Sequence, residues 1–223
     1  MSTPSNHKSA TLDCPHGDSA CPIYDEINTL NQTVTLLKEQ AHTDALTGLY
    51  NNRHFQITLT QEIERTQRTG VPTSLMMVDV DHFKRINDTH GHLAGDKVLK
   101  HLATLLQNSL RKLDIPCRYG GEEFAVLLPS TPLLVAAQVA ERLRLQISDT
   151  RLAWEGLELS ITASIGVGAC NDNTTETKEE FVGRIDKQLY RAKREGRNRI
   201  CAAPQQPSRE KNVSAIEKEA LNP

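Results

Sequence analysis

The sequence predicts an α/β fold, an α+β sandwich of helices on a largely antiparallel sheet, with a helical stalk ahead of it. Three observations predict it. From Asp44 onward, apolar stretches with helical spacing alternate with short extended ones, as in layered helices and strands. Ile115 to Tyr119 and Phe124 to Leu128 flank Gly120-Gly121-Glu122-Glu123, which reads as a β-hairpin whose tight turn needs backbone freedom at both glycines. Ser74-Leu-Met-Met-Val-Asp79 is an apolar run that ends in a carboxylate, the pattern of a buried strand reaching the edge of its core.

Each element follows in order. Residues 1–21 are polar, with Pro4, Pro15 and Gly17, and read as a disordered N-terminus. Cys14, His16 and Cys21 lie there, but their spacing matches no standard zinc pattern. Residues 22–42 form the stalk, in which Ile23, Ile27, Leu30, Val34, Leu37 and Ala41 recur at alternating steps of four and three. β-branched Ile27 and Val34 at the a positions, with leucines at d, favour a parallel two-stranded coiled coil. At ~1.5 Å per residue the rod is roughly 28 Å long. Such a stripe can also pack on its own domain; its narrowness favours self-association instead.

The main domain covers residues 43–202. A helix over 52–69 stops before Gly70 and Pro72, a strand runs over 73–79, and a helix over 93–112 turns Val98, Leu99, Leu102, Leu105 and Leu106 inward. After the hairpin come a helix over 132–149 and a strand around Leu159 to Val167. A last helix, about 179–194, is capped by Gly196, and Arg199-Ile-Cys201 adds an edge strand. Residues 203–223, rich in Pro, Gln, Lys and Glu, read as a disordered tail.

Composition narrows the function. The chain has 223 residues, 38% of them hydrophobic, enough to bury a core. A formal net charge of -2 gives no general affinity for nucleic acid or anionic membrane. Five irregularly spaced cysteines argue against a disulfide framework. No apolar run approaches the roughly 20 residues needed to cross a bilayer, and the N-terminus lacks a signal-peptide core. The expected location is the cytoplasm.

Glu122 and Glu123 project from the hairpin tip, and a lone acidic turn is usually just solvated. Here a second strand end carries Asp79 and Asp81, followed by Lys84, Asn87 and Asp88. Two acidic strand ends in one domain point to a metal-nucleotide site.

Together, Arg118-Tyr-Gly-Gly-Glu-Glu-Phe124 and the Asp79 strand resemble the GGDEF family of diguanylate cyclases in the Gly-Gly-Glu-Glu-Phe spelling. The resemblance runs from Asp44-Ala-Leu-Thr-Gly-Leu-Tyr-Asn51 to Ala192-Lys193-Arg-Glu-Gly-Arg197-Asn198, about seven-tenths of the chain. Asn52 stands where that opening motif more often has arginine, with Arg53 in place. The resemblance implies a five-stranded central sheet flanked by helices, related to nucleotide cyclases and polymerase palms. It also implies condensation of two GTP into cyclic di-GMP with release of two pyrophosphates.

Mg²⁺ (or Mn²⁺) on a polyphosphate needs one or two carboxylates besides phosphate and water. Asp79 and Glu123 are the expected side-chain ligands, and the resemblance adds the Val80 backbone carbonyl. It implies that Glu122 approaches the metal and acts as general base. An ordinary glutamate has a pKa of about 4.3, so the metal must first acidify the 3′-hydroxyl. Asp81 is expected to cap the turn into the next helix. Lys84, Lys193 and Arg197 are expected to neutralise phosphate and transition-state charge. Lys193 and Arg197, four apart across a helix end, should share one side; a bare basic terminus complementing the dipole is the plainer reading.

Guanine falls to Asn87 and Asp96 by resemblance, a carboxylate and an amide matching guanine's edge and rejecting adenine's. His92 lies between them, at ribose, base or solvent. Arg111-Lys-Leu-Asp114 has the spacing of the family's inhibitory cyclic di-GMP site; otherwise such a pair is a surface salt bridge. A two-fold symmetric product calls for a homodimer, built through residues 23–41. The stalk can also receive a regulatory protein. Two rivals stand beside the enzyme: a degenerate domain that only binds GTP or cyclic di-GMP, and an adaptor whose stalk recruits a partner. The retained carboxylates argue against the first.

Overall fold

The computed structural model describes residues 26–33, 42–171 and 176–204. Residues 26–33 are helical (α1), with Leu30 exposed. Of the stalk stripe, Ile27 and Leu30 fall here; Ile23, Val34, Leu37 and Ala41 lie outside the described residues, as do Cys14, His16, Cys21 and the tail from residue 205.

From Thr43 the chain forms a separate unit. Its elements are β1 (Tyr50–Asn51), α2 (Asn52–Thr69), β2 (Thr73–Val80), α3 (Phe83–His90), α4 (His92–Ser109), β3 (Ile115–Arg118), β4 (Glu123–Leu128), α5 (Leu133–Asp149), β5 (Arg151–Trp154), β6 (Leu157–Ser160), β7 (Ala163–Cys170), α6 (Lys178–Arg194) and β8 (Ile200–Ala202). The main sheet runs β1-β3-β4-β2-β7-β8, with β5-β6 a separate hairpin. Its inner pairs are antiparallel and only the short edge strands β1 and β8 pair in parallel. It has six strands rather than the expected five, because two-residue β1 adds to the β3 edge.

Strand periodicity separates the two faces of the sheet. Met76, Val78 and Val80 of β2, with Phe124, Val126 and Leu128 of β4, pack on α4 and α5 through Val98, Leu102, Leu106, Ala140 and Leu143. Leu75 and Met77, with Ala125 and Leu127, pack on α2 and α6 through Phe55, Leu59, Phe181, Ile185 and Leu189. A Cβ on Gly166 of β7 would stand 2.4 Å from the Ile185 carbonyl oxygen and 2.6 Å from the Leu189 nitrogen. Only glycine lets α6 lie this close, and that approach brings the end of α6 to the end of β2.

Several elements differ from expectation. The extended run around Leu159 to Val167 is two strands, β6 and β7, parted at Ile161 and Thr162; ahead of it, Glu155 (φ 47°) and Gly156 (φ 80°) form a left-handed two-residue turn that folds β6 back on β5. Residues 83–90 are a helix of their own, separated from α4 by Gly91 at φ 83°. Helix α4 ends at Ser109 rather than 112, with Leu110 already extended. Packing continues through Ala203, which is buried and donates its N–H to the Val167 carbonyl at 2.8 Å. Cys117, Cys170 and Cys201 are buried free thiols, and burial pushes Cys117 up to about 12.

Candidate functional site

Asp79 follows Leu75 and Met77 in the alternation of β2, so its side chain falls on the α6 face. Its cross-strand partner in the antiparallel register is Glu123, and directly opposed residues share a face about 5 Å apart. From α6, Lys193 Nζ reaches Asp79 Oδ2 at 2.7 Å. Asp79 is only 4% exposed. Burial pushes its carboxyl above the ordinary value, and the Lys193 ammonium only partly pulls it back. Burial also raises Glu122 and Glu123, and for both the Asp79 charge is the next cause. Three carboxylates thus resist simultaneous ionisation, and a divalent cation would relieve them.

The turn bearing Glu122 is held from outside. Tyr119 and Gly120 donate their N–H groups to the Glu123 carbonyl at 2.8 and 3.1 Å, and Val80 N–H reaches the Glu122 carbonyl at 3.4 Å. Neither Gly120 nor Gly121 has a positive φ, so backbone freedom is not what the turn needs. At Gly120 a Cβ would lie 2.8 Å from Glu123 Oε2, so a side chain there would displace the Glu123 carboxylate. Arg118 donates to the Gly120 and Gly121 carbonyls at 3.2 and 2.7 Å. Its Nη1 also bonds both oxygens of Asp44 at 3.2 Å. Thr47 donates N–H and hydroxyl to Asp44; against the upward push of burial, these bonds and Arg118 hold the Asp44 carboxyl below its ordinary value. The one local signal is an arginine shortly before a Gly-Gly turn, whose backbone carbonyls suit a guanidinium; the contact with Asp44 has none.

Lys193 lies on the last turn of α6. Arg197 is off the helix, which corrects the idea that helical spacing puts the two on one side. After the C-cap Glu195, Gly196 (φ 118°) reverses the chain and Arg197 N–H returns to the Ala192 carbonyl at 3.0 Å, a Schellman closure. Even so, the Arg197 charge reaches Asp79 and lowers its carboxyl against the rise. Lys84 sits exposed on the first turn of α3. Asp81 does not cap that helix: the α3 N-cap is His82, which has no side-chain capping bond. Asp81 instead accepts from Ser164 Oγ at 2.6 Å, Thr162 Oγ1 at 2.8 Å and Asn198 N–H at 3.0 Å.

Asn87 on α3 lies across Gly95 of α4, beside Asp96. A Cβ at Gly95 would fall 2.0 Å from Asn87 Oδ1, and that oxygen is buried without a hydrogen-bond partner. An unpartnered buried acceptor is costly and invites a donor. His92, at the start of α4, is exposed. Beyond α4, Asp114 accepts the Arg111 backbone N–H at 2.9 Å and donates its own N–H to the Arg111 carbonyl at 3.0 Å. The pair closes a turn through the backbone, so the expected surface salt bridge is absent among the described residues. Arg111 is left exposed at the opposite end of β3 from Glu122.

Among the described residues no three His, Cys, Asp or Glu side chains are grouped so as to hold a metal ion by themselves. A cavity of about 400 Å³ on the same face is lined by Gln56, Met77, Tyr119, Val182 and Asp186, and holds none of the predicted site residues.

Residues 41–199 match the family described as diguanylate cyclase, GGDEF domain. Diguanylate cyclase DgcP from Pseudomonas aeruginosa is 48% identical over 166 residues, 74% of this chain and 24% of that protein. The response regulator PleD from Caulobacter vibrioides is 43% identical over 164 residues, 73% of this chain and 36% of its own length. This chain therefore spans a quarter to about a third of those relatives. Among solved structures, the coiled coil and GGDEF domain of DgcB from Caulobacter crescentus in complex with c-di-GMP superposes with a TM-score of 0.76 at 31% identity, covering 80% of this chain and 94% of that one. The diguanylate cyclase SiaD from Pseudomonas aeruginosa, in complex with its activator SiaC, gives 0.72 at 41% identity over 81% of this chain and 69% of that one. On the strength of this match, and of the paired strand ends that carry Asp79 and Glu123, the chain belongs to the GGDEF domain family of diguanylate cyclases.

Proposed function

We propose that this chain is a diguanylate cyclase that joins two GTP into cyclic di-GMP, releasing two pyrophosphates. The observation that carries the reading is the register pair of Asp79 and Glu123, with Lys193 on Asp79 and Glu122 one residue away. A divalent cation, Mg²⁺ or Mn²⁺, fits the mutually repelling carboxylates. Asp79, Glu123 and the Val80 carbonyl would hold it, and when bound it supplies charge neutralisation and acidifies the attacking hydroxyl. Glu122, raised by burial and by its acidic neighbours, receives the 3′-hydroxyl proton. Lys84, Lys193 and Arg197 neutralise the phosphates, so that the α-phosphate is fixed for in-line attack.

Asn87 and Asp96 read guanine, with His92 beside them at the base or ribose. The unpartnered Asn87 oxygen accepts from a guanine donor that adenine presents differently. Each domain holds one GTP and two domains face each other as a homodimer through residues 23–41. Arg111 and Asp114 bind product as an inhibitory site. The stalk also offers a surface to a regulatory protein, a reading supported by the relative solved with its activator. Among the described residues no helix is long and apolar enough to cross a membrane, and the substrate makes the cytoplasm the proposed location.

Alanine at Asp79 or Glu123 should abolish divalent-cation-dependent turnover. Glu122→Gln should leave GTP binding within about threefold while cutting product formation by roughly a hundredfold or more, the scale of general-base loss. Nucleotide separation after incubation with GTP and Mg²⁺ reads both effects. Wild-type activity in Asp79→Ala would sink the metal assignment; GTP binding without product in the wild type would favour the binding-module reading.

A further inference from the structure

We propose that Asp81 is a positioning residue for Arg197, fixing the left-handed turn after α6 against the acidic end of β2; this rests on the phosphate role given to Arg197 above. The carboxylate of Asp81 is 5% exposed, and its three donors are neutral: the hydroxyls of Ser164 and Thr162, and the backbone N–H of Asn198 at 3.0 Å. A buried carboxylate is tolerable only when its oxygens are bonded, and N–H bonds to an ionised acceptor are among the stronger ones. The hydroxyls come from Ser164 in β7 and from Thr162 just ahead of it. The N–H comes from a turn 117 residues along the chain.

That turn needs holding. Arg197 (φ 62°) and Asn198 (φ 44°) are adjacent non-glycine residues in the left-handed region, which side chains disfavour. Arg197 N–H is anchored to the helix it has just left, Arg199 accepts from Ile165 of β7, and Arg144 Nη1 donates to Asn198 Oδ1 at 2.7 Å from outside. Of these tethers the Asp81 bond is the one that reaches the residue directly after β2, two positions past Asp79. It therefore sets the distance between the Arg197 backbone and the strand end where the metal and phosphates belong. The effect of the Arg197 charge on Asp79 agrees with that closeness.

The test measures GTP and GMP affinity, with Mg²⁺, of the full chain as wild type, Asp81→Asn, Arg197→Ala and the double variant. An amide in place of the carboxylate loses the charged acceptor, so Asp81→Asn should weaken GTP about five- to tenfold and GMP less than about twofold, because GMP lacks the phosphates that Arg197 meets. The double variant should bind GTP no more weakly than Arg197→Ala alone. Equal losses for GTP and GMP, or additive losses in the double variant, would overturn the proposal. Should Asp81→Asn fail to fold, Arg144→Gln removes the outer bond to Asn198 and should keep GTP affinity within about twofold; a loss matching Arg197→Ala would mean that the inner bond does not hold the turn. Product formation by the wild type is assayed in parallel. Its failure refutes the cyclase reading, while the GTP-against-GMP difference still decides the role of Asp81.

Discussion

Glu123 is pulled in two directions by its place in the fold. Burial and the Asp79 charge raise its carboxyl above the ordinary value, with Lys193 opposing. A carboxyl whose folded pKa is raised favours the folded state below its unfolded pKa, and that contribution is lost as pH rises through the folded value. At neutral pH its charge is therefore a cost of keeping the site acidic. Glu123→Gln should melt about 1–3 °C higher than wild type at pH 7.5 without divalent cations, and the difference should vanish by about pH 4. Thermal unfolding at the two pH values checks this; a wild type more stable at pH 7.5 would mean that Lys193 outweighs the repulsion. The carboxylates themselves were legible, because acidic residues at the ends of two apolar runs have few other reasons to be there. Their supports were not. Asp44 and Arg118 pair across 74 positions, and Asp81 meets Asn198 across 117, with no local pattern to announce either contact.

Among the elements, long periodic helices were read to within a residue or so: α2, α5 and α6 each carry an unbroken apolar face, and Gly70 and Gly196 mark ends where the chain turns left-handed. The β5-β6 hairpin was missed because its turn begins with Glu155, where Asn or Asp is the usual signal. Helix α3 was missed because eight residues with polar Lys84, Arg85, Asn87 and Asp88 give little periodicity. The α4-β3 loop carries a prediction of its own. Since Asp114 is engaged with the Arg111 backbone and the guanidinium is exposed, Arg111→Ala should barely move stability or initial rate. It should raise the cyclic di-GMP concentration for half inhibition by about tenfold, the loss of one charge-assisted contact. Progress curves with and without added product measure it, and equal curvature in both proteins would remove the inhibitory site. The stalk is tested by aspartate at Leu30 and Val34. Charge in the proposed seam would cost roughly several kcal/mol on the scale of unpaired burial, more than a short coiled coil would tolerate. The variant should be monomeric at low micromolar concentration by light scattering and nearly inactive, with activity returning as it is concentrated. An unchanged dimer would place the contact elsewhere.

Among the described residues there is one set of paired carboxylates, with one proposed guanine site and one proposed phosphate-binding turn, which would be half of what a two-fold symmetric product requires. In the proposed reaction each domain presents its own GTP to the 3′-hydroxyl of the other, so the rate should depend on protein concentration more steeply than first order until dimers saturate. The sheet makes this possible by bringing residues far apart in sequence to one end of three neighbouring strands: Asp79 at the end of β2, Glu123 at the start of β4, and Ser164 in β7 opposite Asp79. The most direct measurement is incubation of the purified chain with GTP and Mg²⁺, followed by separation and quantification of nucleotides and pyrophosphate. Cyclic di-GMP should accumulate with about two pyrophosphates per molecule formed, as phosphoryl transfer at two α-phosphates demands, and should not form when Mg²⁺ is chelated. Unchanged GTP at high protein concentration, or hydrolysis to GDP without cyclic di-GMP, would contradict the account.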